Sequence, residues 1–107
     1  MAWRNDLSVN FYILDEAGRV VLAKRPVEWS RWFENNSNRI VGNDTFGDVR
    51  VSTVFLGIDH GFGAGPLVLW ETMIFGGKLD GEQRRYTSRE DAIRGHEEMC
   101  ALVQGSL

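Results

Sequence analysis

Residues 49–75 read VRVSTVFLGIDHGFGAGPLVLWETMIF and contain the two longest strand signals of the chain. Apolar and β-branched side chains dominate 49–58 and 67–75 on both faces, a pattern typical of strands that are covered on both sides. The glycine-rich connection 59–66 is too short for a parallel crossover. The two segments are therefore predicted to pair as an antiparallel hairpin at the centre of the protein.

A second hairpin is predicted nearer the start of the chain. Residues 9–14 and 19–23 are rich in β-branched and aromatic side chains, which favours two strands. The acidic residues between them, followed by Gly18, suit a tight turn in which the glycine adopts a positive φ.

A short helix is predicted near residues 27–34. Trp29, Trp32 and Phe33 lie at positions i, i+3 and i+4, so a helical turn places their three rings on one face. Aromatic side chains at this spacing usually belong to the core, and the helical turn would then cover the core. The alternative is an exposed patch that recognises a partner.

Residues 39–41 are predicted to form a short edge strand. Residues 42–48, GNDTFGD, consist of turn-forming residues and are predicted to be a turn throughout. A flexible connection is predicted for residues 76–82, which contain three glycines.

A C-terminal helix is predicted near residues 88–104. Ser88 begins an [ST]-x-x-[DE] capping pattern, and Gly105 is predicted to end the helix. A glycine at position 95 costs about 1 kcal/mol relative to alanine, and close approach to the sheet would account for it. The predicted apolar face consists of Ala92, Ile93, His96, Met99, Cys100 and Val103. The predicted solvent face consists of Arg89, Glu90, Arg94, Glu97 and Glu98.

These elements predict an α+β fold, with an antiparallel sheet of about four to five strands and both helices packed on it. The length of 107 residues predicts a single domain over 1–107. With one cysteine, the chain cannot form an internal disulfide or a Cys-rich zinc module.

Charge and hydropathy limit the expected partners and location. The net charge of −3 provides no electrostatic footprint for nucleic acid, so nucleic acid is not expected as a direct partner. No apolar run approaches the ~20 residues of a membrane helix, and the first residues are too polar for a signal peptide. A cytosolic protein without a membrane partner is therefore expected; the oligomeric state is left open.

Asp59 and His60 stand where the first long strand meets the glycine-rich connection. Such a pair could serve as an acid and a base or supply metal ligands. The alternative is that Asp59 caps the turn through backbone amides. We expect Gly61, Gly63 or Gly65 to have a positive φ. The connection leads into a strand and not into a helix, which argues against a phosphate-binding loop.

Glu71 interrupts an otherwise apolar strand, where a carboxylate needs a partner or a raised pKa. It could act as a general base or ligand. The alternative is an ion pair with an arginine such as Arg50, Arg84 or Arg85.

His96 and Cys100 share a helical face at i, i+4 and could hold a metal. The zincin motif would require a second histidine where Cys100 stands. The alternative is that both residues pack in the core, with His96 hydrogen-bonded to the sheet. We expect this second arrangement, with no metal and no cofactor required.

Part of the sequence resembles a family of small proteins from bacteriophages, prophages and bacteria that brings no assigned activity. The resemblance lies mostly within residues 49–104. It is carried by VSTVFLGIDHGFG at 51–63, Gly65-Pro66, LWETMIFGG at 69–77, Arg85-Tyr86-Thr87-Ser88 and Gly95-His96. It implies a phage-related setting, in which the natural partners are host or defence proteins, including CRISPR effectors.

Two functions are compatible with these observations. The first is a non-enzymatic accessory protein that binds a macromolecule through Trp29, Trp32 and Phe33. The second is a small enzyme or a ligand- or metal-binding domain. That alternative would use the side chains of Asp59, His60, Glu71 and His96. Convergence of those four side chains in a pocket would favour the second function, and scatter would favour the first.

Overall fold

The computed structural model describes residues 10–61 and 65–107. The elements are β1 (Tyr12–Leu14), β2 (Val20–Leu22), α1 (Pro26–Asn35), a 3₁₀ turn (Ser37–Arg39), β3 (Ile40–Phe46), β4 (Val49–Phe55), β5 (Trp70–Phe75), β6 (Gln83–Tyr86) and α2 (Arg89–Ser106). The predicted α+β class is confirmed. The strands form two antiparallel sheets, β1-β2 and β3-β4-β5-β6, where the sequence predicted one.

The predicted central hairpin is confirmed. In the β4–β5 pair, Val51 lies opposite Ile74, Thr53 opposite Thr72, and Phe55 opposite Trp70. Both strands are shorter than predicted at the end next to the connection.

The prediction that β4 is covered on both faces is wrong. Val51, Thr53 and Phe55 are almost completely buried, whereas Ser52 and Val54 between them are half-buried. Helix α2 packs on one face of the sheet, contacting all four of its strands, so only alternate residues reach the core.

The edge strand β3 is longer than predicted. Residues 42–46 continue it although Gly42, Asn43 and Asp44 favour turns, and the turn itself is confined to Gly47 and Asp48. Pairing along β4 supplies the backbone hydrogen bonds and outweighs local propensity. The other edge strand, β6, follows a connection with positive φ at Gly76, Gly77 and Gly81; the sequence predicted no strand there.

Helix α2 begins as predicted, because the Ser88 hydroxyl accepts a 3.1 Å hydrogen bond from the Asp91 amide. The predicted stop at Gly105 is wrong, since the helix continues to Ser106. Ile93, a predicted core residue, is 41% exposed. The helix is rotated so that the preceding residue, Ala92, faces the sheet and Ile93 does not. The buried residues of the helix are Ala92, Gly95, His96, Met99 and Val103. The predicted solvent-facing residues are exposed.

The core has two apolar clusters. One consists of Leu14, Phe55, Leu69, Trp70, Tyr86 and Ala92. The other consists of Val49, Val51, Ile74, Met99 and Val103. Among the residues that the structure describes, the buried polar ones are Thr53, Thr72 and His96, which lie between the two clusters along the sheet and α2.

The N-terminal hairpin and α1 extend the first cluster. The predicted turn is confirmed, with Gly18 at φ 82°, and β1 contacts α1. Within residues 10–61 and 65–107, no helix combines the length and the apolar character needed to cross a membrane.

Candidate functional site

A chain of buried hydrogen bonds crosses the four-stranded sheet beneath α2. His96 Nε2 lies 2.7 Å from Asp44 Oδ2, and His96 Nδ1 lies 2.6 Å from Thr53 Oγ1. Thr53 Oγ1 is 2.5 Å from Thr72 Oγ1, which is 2.9 Å from the Tyr86 hydroxyl. Because Asp44 lies on edge strand β3 and Tyr86 on edge strand β6, the chain links the two edges of the sheet.

Strand register and two glycines position these groups. Thr53 and Thr72 are direct cross-strand partners, and Gly42 lies opposite Thr53 on β3. A Cβ added to Gly42 would lie 2.5 Å from His96 Nε2, so the absence of a side chain there makes room for the imidazole ring. Gly95 makes room in the same way for the Tyr86 ring, which confirms the predicted close approach of α2 to the sheet.

Proton positions in the chain follow from what each partner can donate. The Asp44 carboxylate only accepts, so the neutral imidazole carries its proton on Nε2 and donates it to Asp44. Nδ1 then accepts from Thr53, which accepts from Thr72, which accepts from Tyr86. Burial raises the pKa of Tyr86, which keeps the phenol protonated at the donating end. Each of the three hydroxyls in this row of hydrogen bonds, on Thr53, Thr72 and Tyr86, therefore has an acceptor for its proton.

The order Asp44–His96–Thr53 resembles the connectivity of a catalytic triad, in which the hydroxyl is the nucleophile. Thr53 is completely buried between the sheet and α2, so no substrate can reach its oxygen. This geometry therefore supports positioning of His96 and not nucleophilic attack by Thr53.

Cys100 stands beside the exposed end of this chain. Its Sγ lies 3.5 Å from His96 Nε2 and 3.8 Å from Asp44 Oδ2. Burial, followed by the negative charges of Asp44 and Glu97, raises the pKa of the Cys100 thiol to about 11. The thiol is therefore protonated at neutral pH and is a poor nucleophile.

We expect Cys100 to react slowly with iodoacetamide. At pH 8 the thiolate fraction is about 100-fold below that of a cysteine with a pKa of 9.0, so alkylation in the presence of a chelator should be slower than that of glutathione. The rate should keep rising well above pH 9. Mass spectrometry of timed samples measures it, and a rate that levels off below pH 9 would contradict the raised pKa.

The alternative site residues from the sequence do not come together. Among the described residues, Asp44, His96 and Cys100 form the one group of three acidic, histidine or cysteine side chains with donor atoms close enough to share a metal. Glu71 is paired with Arg85 at 3.0 Å, which confirms the predicted ion pair. Strand alternation places Glu71 on the face of β5 opposite Thr72.

Asp59 caps the connection that follows β4. Its Oδ1 accepts hydrogen bonds from the amides of Gly61 at 2.8 Å and Val68 at 2.9 Å, which confirms the turn-capping interpretation. The backbone amide of His60 donates to the Val68 carbonyl at 2.9 Å. The predicted positive φ is confirmed at Gly65, while Gly63 lies outside the described residues.

Sequence reasoning did not single out Asp44, Thr53, Thr72 or Tyr86. The one available signal was the presence of threonines within apolar strand faces. Asp44 was hidden because its neighbours form turns in isolation.

The predicted recognition residues on α1 are half-buried. Trp32 and Phe33 pack against the first apolar cluster, and their ring centroids lie 5.7 and 6.4 Å from that of Phe55. The ring centroids of Trp29 and Phe33 are 4.5 Å apart. The Nε1 of Trp29 is buried without a hydrogen-bond partner among the described residues. These contacts favour the interpretation of α1 as a cover on the core.

The opposite side of α1 carries a different surface. Lys24, Arg25, Val27, Glu28 and Arg31 line a shallow depression of about 240 Å³, here called the α1 surface. Val27 is 41% exposed, and Leu22, two residues before Lys24, is 59% exposed. The α1 surface therefore combines positive charge with one exposed apolar side chain, that of Val27.

Comparisons with protein families, with curated proteins and with solved structures find no match to this chain. The interpretation of both the polar chain and the α1 surface accordingly rests on their geometry.

Proposed function

We propose that the protein is a small non-enzymatic accessory protein that binds another protein through the α1 surface. The observation that carries this proposal is the combination of Lys24, Arg25 and Arg31 with exposed Val27 on one depression. Arginine, present here as Arg25 and Arg31, is enriched at protein–protein interfaces.

The aromatic residues contribute by holding α1 in place. Trp29, Trp32 and Phe33 anchor the inner side of the helix to the core, so its outer side is presented on a rigid support. A preorganised surface loses less conformational entropy when a partner binds. Binding through α1 is thus retained from the sequence-based hypothesis, with the contact moved to the outer face.

Charge distribution indicates the chemistry of the partner. Residues 19–39 carry five basic and two acidic side chains, a net charge of +3 within a chain of net charge −3. The rest of the chain therefore carries −6, which repels nucleic acid. An acidic protein segment with apolar side chains fits both the basic and the apolar parts of the α1 surface.

The resemblance to phage-related proteins suggests which kind of protein contains this acidic segment. Host or defence proteins, including CRISPR effectors, are the natural partners of small phage-encoded accessory proteins. This part of the proposal depends on family analogy alone, whereas the acidic character of the partner depends on the α1 surface.

A charge-reversal experiment tests the proposal. The tagged protein is used to capture partners from a lysate of its source cells, and Lys24→Glu/Arg31→Glu is compared with the wild type. We expect retention of a protein with an acidic segment to fall about ten-fold or more, because attraction becomes repulsion.

The matched control is Lys78→Glu/Arg89→Glu, which makes the same change in net charge at exposed positions outside the α1 surface. This variant should retain the partner. Equal capture by both double variants, equal loss from both, or capture that nuclease treatment abolishes would each contradict the proposal.

A further inference from the structure

We propose that Asp44, His96 and Cys100 form a binding site for a divalent transition metal, with Zn²⁺ as the best match. Their donor atoms lie within 4.8 Å of one another. The set of one oxygen, one nitrogen and one sulfur suits a borderline-soft ion. This site is separate from the α1 surface and does not depend on the proposed binding function.

Two of the three distances between the donor atoms are close to those of tetrahedral coordination. Zinc bonds of about 2.0–2.3 Å place the ligand atoms of a tetrahedral site about 3.4–3.6 Å apart. The observed separations are 3.5 Å between Sγ and Nε2 and 3.8 Å between Sγ and Oδ2. The 2.7 Å separation of Nε2 and Oδ2 has to widen, and the Asp44 side chain, 56% exposed, is free to rotate.

The ligands are held by groups that do not touch the metal. His96 Nδ1 contacts Thr53, the kind of second hydrogen bond that fixes the ring of a metal-binding histidine. Gly42 lies against the same ring, and the side chain of His96 is only 9% exposed. Cys100 follows His96 by one helical turn, so α2 fixes the spacing of two ligands.

Binding rearranges protons in a defined way. The Cys100 thiol releases its proton to solvent and binds as a thiolate. The imidazole stays neutral, but its proton moves from Nε2, which takes the metal, to Nδ1, which then donates to Thr53. The row of hydroxyls reverses with it: Thr53 donates to Thr72, Thr72 donates to Tyr86, and the Tyr86 proton turns away from Thr72. The fourth coordination position is left to water or an exogenous ligand, as in zinc sites that have three protein ligands.

The sequence-based expectation was that His96 and Cys100 pack in the core without a metal. This inference instead takes up the alternative, in which the same pair holds a metal, and adds Asp44 as the third ligand. Both apolar clusters are packed without an ion, and each hydroxyl in the row from Thr53 to Tyr86 has an acceptor for its proton. The metal is accordingly expected to bind the folded protein and not to be required for folding.

Cobalt substitution tests the site. Tag-free, chelator-treated protein is titrated with Co²⁺ and then with Zn²⁺, while visible and near-ultraviolet absorption are recorded. We expect the visible bands of tetrahedral cobalt and a sulfur-to-cobalt charge-transfer band, both of which stoichiometric Zn²⁺ removes. A second readout is a rise in melting temperature with added Zn²⁺.

Three variants assign the ligands. Cys100→Ser should abolish the charge-transfer band, and Asp44→Asn should weaken Zn²⁺ binding by about 10-fold or more, at least the effect of losing a supporting group. Glu90→Gln is the matched control, because it removes an exposed carboxylate from α2 that is neither a ligand nor one of the charges that raise the pKa of the Cys100 thiol. Its affinity should stay within about two-fold of the wild type.

Two results would overturn the proposal. One is the absence of a charge-transfer band for folded wild-type protein at ~1 mM Co²⁺, a concentration that detects even weak sites. The other is metal binding that survives unchanged in both Cys100→Ser and Asp44→Asn. Melting curves of the metal-free variants establish that each is folded, so a loss of binding is assigned to the ligand.

Discussion

Ile74→Ala is expected to lower the free energy of unfolding by about 2–5 kcal/mol. Ile74 is completely buried on β5 within the second apolar cluster, which also contains Met99 and Val103 of α2. The substitution removes apolar contact area and leaves a cavity between the sheet and the helix. Such a loss is a large part of the ~5–15 kcal/mol by which small domains are stable. Urea unfolding followed by circular dichroism measures it.

Ile93→Ala is the matched control, because the same atoms are removed from the same residue type. Ile93 is 41% exposed on α2, so its truncation should cost less than about 1 kcal/mol. The sequence pattern predicted a core position and a cost of about 2–5 kcal/mol for it. Equal destabilisation by the two variants would show that α2 packs in a different rotation.

Gly95→Ala is expected to destabilise the protein by about 1–3 kcal/mol, although alanine is the better helix former. A Cβ at position 95 would lie less than 3.0 Å from several ring atoms of Tyr86, a separation that real Cβ atoms do not show. Either α2 or the Tyr86 ring has to move. Movement of the ring also strains the hydrogen bond between Tyr86 and Thr72. The measurement is the urea concentration at the midpoint of unfolding, which is compared between variant and wild type provided that their m-values are equal.

Gly105→Ala provides the comparison within the same helix. No atom lies within 4 Å of a Cβ built there, so this substitution should be neutral or stabilise the protein by up to about 1 kcal/mol. Opposite signs for the two glycines are the expected result. If Gly95→Ala is as stable as Gly105→Ala, the close packing of α2 on Tyr86 is wrong.

The elements that the sequence predicted well are those formed by neighbouring residues. The Asp15-to-Gly18 turn and the Ser88 cap depend on groups within a few positions of one another. The i, i+4 relation of His96 and Cys100 belongs to the same class, because a helix repeats every 3.6 residues. Two of the three ligands of the candidate metal site were therefore visible in the sequence.

The elements that were missed depend on distant partners. Residues 42–46 favour a turn in isolation and become a strand because β4 lies alongside them. That pairing brings Asp44 next to His96, 52 residues further along the chain. The hydroxyls of Thr53 and Thr72 likewise form a hydrogen bond only because β4 and β5 align under α2.

Local chemistry thus specifies where the central hairpin and the helices lie, where several turns occur and where α2 begins. Packing between distant segments specifies which face of each element is buried, including the rotation of α2 that exposes Ile93 and buries Gly95. The physical reason is that hydrogen bonds within a turn or helix join near neighbours in the chain. The register of a sheet and the seating of a helix are instead set by the total burial and hydrogen bonding of many distant residues together. The Asp44–His96–Cys100 cluster is a product of that second process.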